Sequence, residues 1–300
     1  MIDRILAAAV LAAILACAAA PADEFVDWRR RHDKAERKAW DAGLLEKGLD
    51  GLSAADRYVM GVAALNARDT AAAETCFRSI LEETPGHPAA TWGLAEVLHR
   101  RQRDEAADAL LAKVLEKAPH FAPALVTRAR IRFVAGRFEE CLRWAEQVVA
   151  RGREKTDDGS AMRALLLVGA ARGMLAHEGG WLARVRHGRH VKRCIDEAAA
   201  IRPDAPEVLI ARGGFLATAP DWAGGDMDGA RTYFRRAVEV APDMAEAHVR
   251  LAAALLAEGD REGYRRHLEK AVELNPDDPM VLDVTSGRCR FIAVKTPAAD

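Results

Sequence analysis

Aromatic residues are scarce, at 6% of the 300 positions, and the formal net charge is only −1 with a pI near 6.8. A nucleic-acid binder gathers a basic face against phosphates and stacks bases on aromatic rings, so this composition argues against nucleic acid as a partner. Recognisable catalytic spacing is also missing. The sequence contains no G-x-G-x-x-G, no G-x4-G-K-[ST], no C-x2-C, no H-E-x2-H and no G-x-S-x-G, the patterns that would place phosphates, metals or an activated nucleophile. His177-Glu178 begins a metalloprotease-like string, but position 181, where the second histidine belongs, is Trp. Carboxylates are plentiful, yet no pattern pairs two of them in a dry pocket. The expectation is a chain that is not an enzyme and needs no cofactor or metal. Beyond residue 20 no apolar run is long enough to span a bilayer, which takes about 20 residues.

What the chain has in quantity is alanine-rich amphipathic helix, repeated. From Asp228 to Pro276 an apolar stripe (Ala230, Phe234, Ala237, Val238) closes at Pro242, a second set (Ala247, Leu251, Ala252, Leu255, Leu256) runs to a Gly259-Asp260 turn, and a third (Tyr264, Leu268, Ala271, Val272) closes at Asn275-Pro276. Pro242 and Pro276 are 34 residues apart. Helix-ending prolines at Pro85, Pro119, Pro203, Pro242 and Pro276 give gaps of 34, 84, 39 and 34, so the interval recurs with two insertions. A small residue keeps the same beat in five of the first helices, at Gly61, Ala95 and Ala129, then at Gly213 and Ala252, where two helices must approach closely. The second helices carry Ala73-x3-Phe77, Ala107-x3-Leu111, Cys141-x3-Ala145, Val191-x3-Ile195, Ala230-x3-Phe234 and Tyr264-x3-Leu268, which makes six copies.

With those residues in place the chain resembles the tetratricopeptide repeat family, whose 34-residue unit reads W-x2-L-G-x2-Y, then A-x3-F, then P. Ala73, Phe77 and Pro85 match its second half, as do Ala230, Phe234 and Pro242, and Gly136-Arg137-Phe138-Glu139-Glu140 resembles its inter-helix turn. The first half departs from it: Trp92 stands one place late against Leu94, and the Tyr position holds Ala64, Leu98 and Arg132. The resemblance implies an all-α, right-handed α-solenoid of about six helix-turn-helix repeats over 51–276, with an N-terminal capping helix in 23–50, insertions near 151–190 and 218–228, and a cap and tail in 277–300. Met280 to Phe291 is expected to form the final helix and the rest a frayed tail.

Residues 1–22 read as a targeting segment rather than as part of the fold. Arg4 precedes an uncharged apolar run of 16 residues, Ile5 to Ala20, and small residues follow, the layout of an export signal. Within it Ile14-Leu15-Ala16-Cys17 resembles a bacterial lipoprotein box, which would acylate Cys17 and attach the chain to a membrane. Ala20-Pro21-Ala22 offers ordinary cleavage instead, which would discard Cys17. Either route implies the periplasm or cell envelope. Cys76, Cys141, Cys194 and Cys289 remain; the first three fall near the small buried positions of second helices, where inert thiols are expected.

Phe25, Trp28, Ala35, Ala39 and Leu44 could cover the open face of the first repeat, while the basic residues around them could instead meet anionic headgroups. Arg184, Arg186, His187, Arg189, His190, Lys192 and Arg193 form a second basic stretch, read as a solvated helix or as an anion-facing patch. The insertion Ala219 to Asp226, followed by Ala-x3-Phe, is similar to the T-component lipoproteins of TRAP-type solute transporters.

The function expected is a scaffold that holds another protein on the concave side, lined by first helices. Counted from the small residues, the outward positions there are Tyr58, Asn66, Trp92, Glu96, His99 and Arg130; Tyr, Trp and Arg are frequent interface anchors. A solute-handling component holding a small ligand inside the solenoid is the alternative, and an exported enzyme the third reading.

Overall fold

The computed structural model describes residues 31–292, apart from positions 37, 39, 42 and 47. The segment expected to direct export, with Cys17, and Phe25, Trp28, Ala39 and the residues beyond Ile292 lie outside the described residues. Every regular element among those described is helical. Residues 31–36 are helical and precede α1 (Gly43–Glu46). Six helix pairs follow: α2 (Ala54–Asn66) with α3 (Thr70–Glu83), α4 (Pro88–Arg100) with α5 (Asp104–Lys117), α6 (Ala122–Val134) with α7 (Phe138–Ala150), α8 (Asp158–Glu178) with α9 (Trp181–Ile201), α10 (Pro206–Thr218) with α11 (Met227–Val240), and α12 (Ala245–Glu258) with α13 (Arg261–Leu274). A short α14 (Pro279–Thr285) closes the series. This is an all-α solenoid.

Helix starts follow the capping chemistry of the sequence. The Ser53 hydroxyl accepts from the Asp56 amide at 3.1 Å and donates to the Asp56 carboxylate at 2.6 Å, while Asp69, Asp157, Asp226, Asp260 and Asp278 each accept from amides of the first turn they cap. Each such cap satisfies donors that the helix itself leaves unpaired. The repeated beat of small residues has a steric cause. A Cβ on Gly61 would meet the Phe77 ring at 2.7 Å, and one on Gly213 the Phe234 ring at 2.6 Å. The phenyl ring of each A-x3-F therefore sits where the facing helix has no side chain.

The chain divides into two compact units, 1–93 and 94–300, with the boundary inside α4. In the first, α2 packs on α3 around Phe77, Ile80, Val62 and Leu65, all fully buried. In the second, each helix from α5 onward packs on the next, and first helices also touch first helices one pair along: α6 with α8, α8 with α10, and α10 with α12. That stacking gives the second unit a continuous face made of first helices.

The insertions are resolved differently from one another. The first lengthens α8 and α9 to 21 residues each, against 13 for α6 and α7, so the basic stretch lies on a helix; there Lys192 and Arg193 pair one turn on with Asp196 and Glu197 at 2.7 and 2.6 Å. The second folds into a 3-10 turn, Asp221–Ala223, ended by Gly224 at φ +92°. The expectation of a helix from Met280 to Phe291 is corrected. Helix α14 stops at Thr285, because Gly287 and Cys289 adopt φ of +71° and +48°, angles a right-handed helix cannot hold. Beyond them Ile292 is buried rather than frayed.

Candidate functional site

The six residues expected to face outward separate into two groups. In the first unit Tyr58 and Trp92 are only 3% and 6% exposed. Their rings lie 6.4 Å apart, and the His32 ring meets Trp92 edge-on at 5.3 Å while its Nδ1 is hydrogen-bonded to the Tyr58 hydroxyl at 2.7 Å. Tyr58 also packs on Phe77 at 6.1 Å. As outward-facing contacts these two positions are therefore corrected to packing. The physical reason is the helical segment 31–36, in which His32 and Ala35 are completely buried: a count made within the repeats could not include a neighbour from outside them. Asn66 remains exposed, and its amide donates to the Glu36 carbonyl at 3.3 Å.

In the second unit Glu96, His99 and Arg130 come together, as their spacing of one helical turn and one helix pair suggested. Glu96 and His99 are buried to 4% and 6% exposure, so they too are corrected from surface contacts to supports. The Glu96 carboxylate accepts from the Thr127 hydroxyl at 2.8 Å, from Arg100 Nε at 3.2 Å and from Arg130 Nη2. Arg130 Nε donates to His99 Nε2 at 3.1 Å, and His99 Nδ1 meets the Asp104 carboxylate at 2.6 Å. That geometry assigns the ring: Nδ1 carries the proton toward Asp104, and Nε2 accepts from Arg130.

Burial alone would raise the Glu96 carboxyl, but the guanidinium groups of Arg130 and Arg100 and the Thr127 hydroxyl together hold it well below the ordinary carboxylate range. The charge is thus fixed in place at neutral pH, and Arg130 is clamped on two sides with 34% of its side chain open to solvent. An Asp-His pair like this one could activate a nucleophile in other settings. Here the second ring nitrogen faces a guanidinium, which can give it nothing to deprotonate. The arrangement presents a rigid cation.

Elsewhere in the second unit Asp108 accepts from Arg128 at 2.8 Å and Arg132 at 2.7 Å, and Arg128 stacks over the Trp144 ring at 4.5 Å. Nothing in the repeat pattern flagged Thr127, Asp104 or Asp108; the i, i+31 and i, i+34 offsets from Glu96 to Thr127 and Arg130 were the available signal.

Family models described as tetratricopeptide repeat match residues 58–121 and 221–286. Both segments are tetratricopeptide repeats. The two matched segments coincide with α2 to α5 and with the stretch from the 3-10 turn to α14, and the repeats make the protein an interaction scaffold. Among solved structures it is similar to the APC/C heterotetramer Cut9-Hcn1 (12% identity, TM-score 0.57, covering 85% of this chain and 47% of that one) and to a monomeric IFIT1 mutant with m7Gppp-AAAA (16%, 0.56, 86% and 59%). It is also similar to Pseudomonas aeruginosa pilF (15%, 0.47, 78% and 96%). At these identities the likeness concerns the fold. No curated protein sequence matches.

Proposed function

We propose that this repeat protein is an exported scaffold that binds an acidic segment of a protein partner along the face formed by its first helices, with Arg130 as the anchoring cation. The observation that carries this reading is the clamp on Arg130: Glu96 and His99 hold two of its nitrogens, leaving a partly exposed, pre-oriented guanidinium whose remaining N–H groups can fork onto a carboxylate. A cation already fixed by its neighbours loses little side-chain freedom on binding, and that preorganisation favours affinity. The test is Arg130→Ala in a pull-down from the native envelope. The captured partner should weaken by ~2 kcal/mol or more, as for an anchor residue, with helical content unchanged; an unaltered partner set would sink the assignment.

Export rests on the apolar run Ile5 to Ala20 and its small-residue flank. We place the mature chain in the periplasm or cell envelope, with Cys17 as the acylated residue. Labelled fatty acid should enter the wild-type chain and not Cys17→Ser, and the substitution should move the protein to soluble fractions, since the acyl chain supplies the membrane affinity.

A further inference from the structure

The segment after α14 does something that a cap has no need to do. The buried Asp283 carboxylate accepts the amides of Arg290, Phe291 and Ile292 at 2.9, 2.8 and 3.2 Å, which turns the chain back from the last helix pair. It then reaches the turn between α6 and α7 and the end of α8. There the Phe291 ring lies 5.4 Å from Phe133, which is itself 5.5 Å from Phe138, so three phenyl rings form a ladder. The Arg290 guanidinium stacks over Phe138 at 5.1 Å and donates to the Glu178 carboxylate from Nε at 3.2 Å and Nη2 at 2.8 Å.

Gly136, in the turn below, leaves the space: a Cβ there would collide with the Arg290 guanidinium. Phe133, Phe138 and Glu178 thus offer Arg290 and Phe291 two aromatic rings and one carboxylate, with Phe133 one turn along α6 from Arg130. Its contact with Arg290 is not sealed, because the side chains of Arg290 and Glu178 are each 43% exposed. The chain enters the contact through a non-glycine residue at positive φ, Cys289 at +48°, a conformation that persists only when surrounding contacts hold it.

We propose that Phe133, Phe138 and Glu178 form a peptide-recognition site for a segment in which arginine directly precedes an aromatic residue, and that Arg290-Phe291 of the same chain fills it as a tethered stand-in for such a segment of a partner protein. The cation stacks on one ring and pairs with the carboxylate, while the following aromatic extends the ring ladder toward Phe133. Tethering raises the local concentration of the stand-in to roughly millimolar, so a partner must outcompete it or arrive when it is displaced. The proposal rests on the scaffold reading for what the peptide belongs to, but its contacts are made by other side chains than Arg130, and it is tested without substituting Arg130.

The probe is a fluorescein-labelled peptide with the sequence of residues 286–292, its cysteine replaced by serine, measured by anisotropy against the full chain. The Arg290→Ala/Phe291→Ala variant should bind it at least about tenfold more tightly than wild type, and adding Glu178→Lys should remove that gain. Helical content and melting are read on each variant. Should the double variant lose its fold, Arg290→Ala alone, at a half-exposed side chain, must show the same gain. Equal binding by wild type and opened variant, or binding indifferent to Glu178→Lys, overturns the proposal. So does a strap-exchanged dimer of wild type in light scattering, which would make a second copy the occupant. Because Arg130 is intact in every variant, a failure here leaves partner capture on the first-helix face to be judged separately.

Discussion

Trp92 stands three residues before the small residue of its first helix and Arg130 one residue after its own, a turn apart on the same side of the helix, yet one lies in a dry aromatic cluster and the other in a chain of charges. Around Trp92 the neighbours are Tyr58 and His32, and the surface disappears into packing. Around Arg130 the neighbours are Glu96, His99 and Thr127, each giving or taking a directed hydrogen bond. Periodicity assigns both to the same side of a helix. What a residue does there depends on the chemistry of whatever lies opposite, and for the first unit that partner comes from residues 31–36.

The largest effect should come from breaking the aromatic side. Trp92→Ala removes a nearly fully buried indole, and urea unfolding should report a loss of ~3 to 5 kcal/mol, as for other large-to-small core changes. A loss under about 1 kcal/mol, the ordinary surface range, would return Trp92 to the list of partner contacts. On the charged side Glu96→Gln should cost ~2 to 3 kcal/mol at neutral pH, because hydrogen bonds to a charged group weaken and two cations lose their counter-charge.

The same carboxylate sets a pH dependence. Glu96 titrates below its ordinary value in the folded chain, so its stabilisation is fully present above the unfolded value of about 4.3 and is lost progressively as pH falls below that. Wild type should therefore lose stability more steeply than Glu96→Gln on acidification through that range. Parallel acid limbs in the two proteins would mean that Glu96 is not held as a buried anion. Arg130→Ala leaves the buried Glu96 carboxylate with Arg100 and the Thr127 hydroxyl, so it should cost the fold ~1 to 3 kcal/mol by thermal melting while also weakening the partner.

A control on burial comes from the thiols. Burial pushes Cys141 up to about 12 and Cys76 to about 11, so a thiol reagent at pH 8 should label neither in the native protein and both in urea. Rapid native labelling of Cys141 would show that the second-helix packing around it opens.

Much of the fold was legible because a 34-residue period, small-residue beats and capping aspartates are all local signals. The A-x3-F rings and the facing glycines could be paired on paper before any coordinates. Tyr58 and Trp92 were misjudged because the residue that covers them, His32, obeys no period. Glu96 with Arg130 was half legible: their offset brought them together, but nothing local said that the carboxylate would be buried and the guanidinium left at the surface. The contact of Arg290 with Glu178 spans 112 positions, and sequence separation of that size carries no pattern to read.

That long-range contact has a consequence for how the second unit comes apart. A stack of repeats that touch only their neighbours frays from its ends, since each terminal pair is held by one interface. Phe291 packs against the hydrophobic clusters of both the third and the last helix pairs, so α12 to α14 cannot peel away without also stripping the turn between α6 and α7. Amides in the last pair should then exchange with the protection of the middle of the unit rather than of an end, and cutting the chain after Ser286 should restore the gradient from centre to terminus.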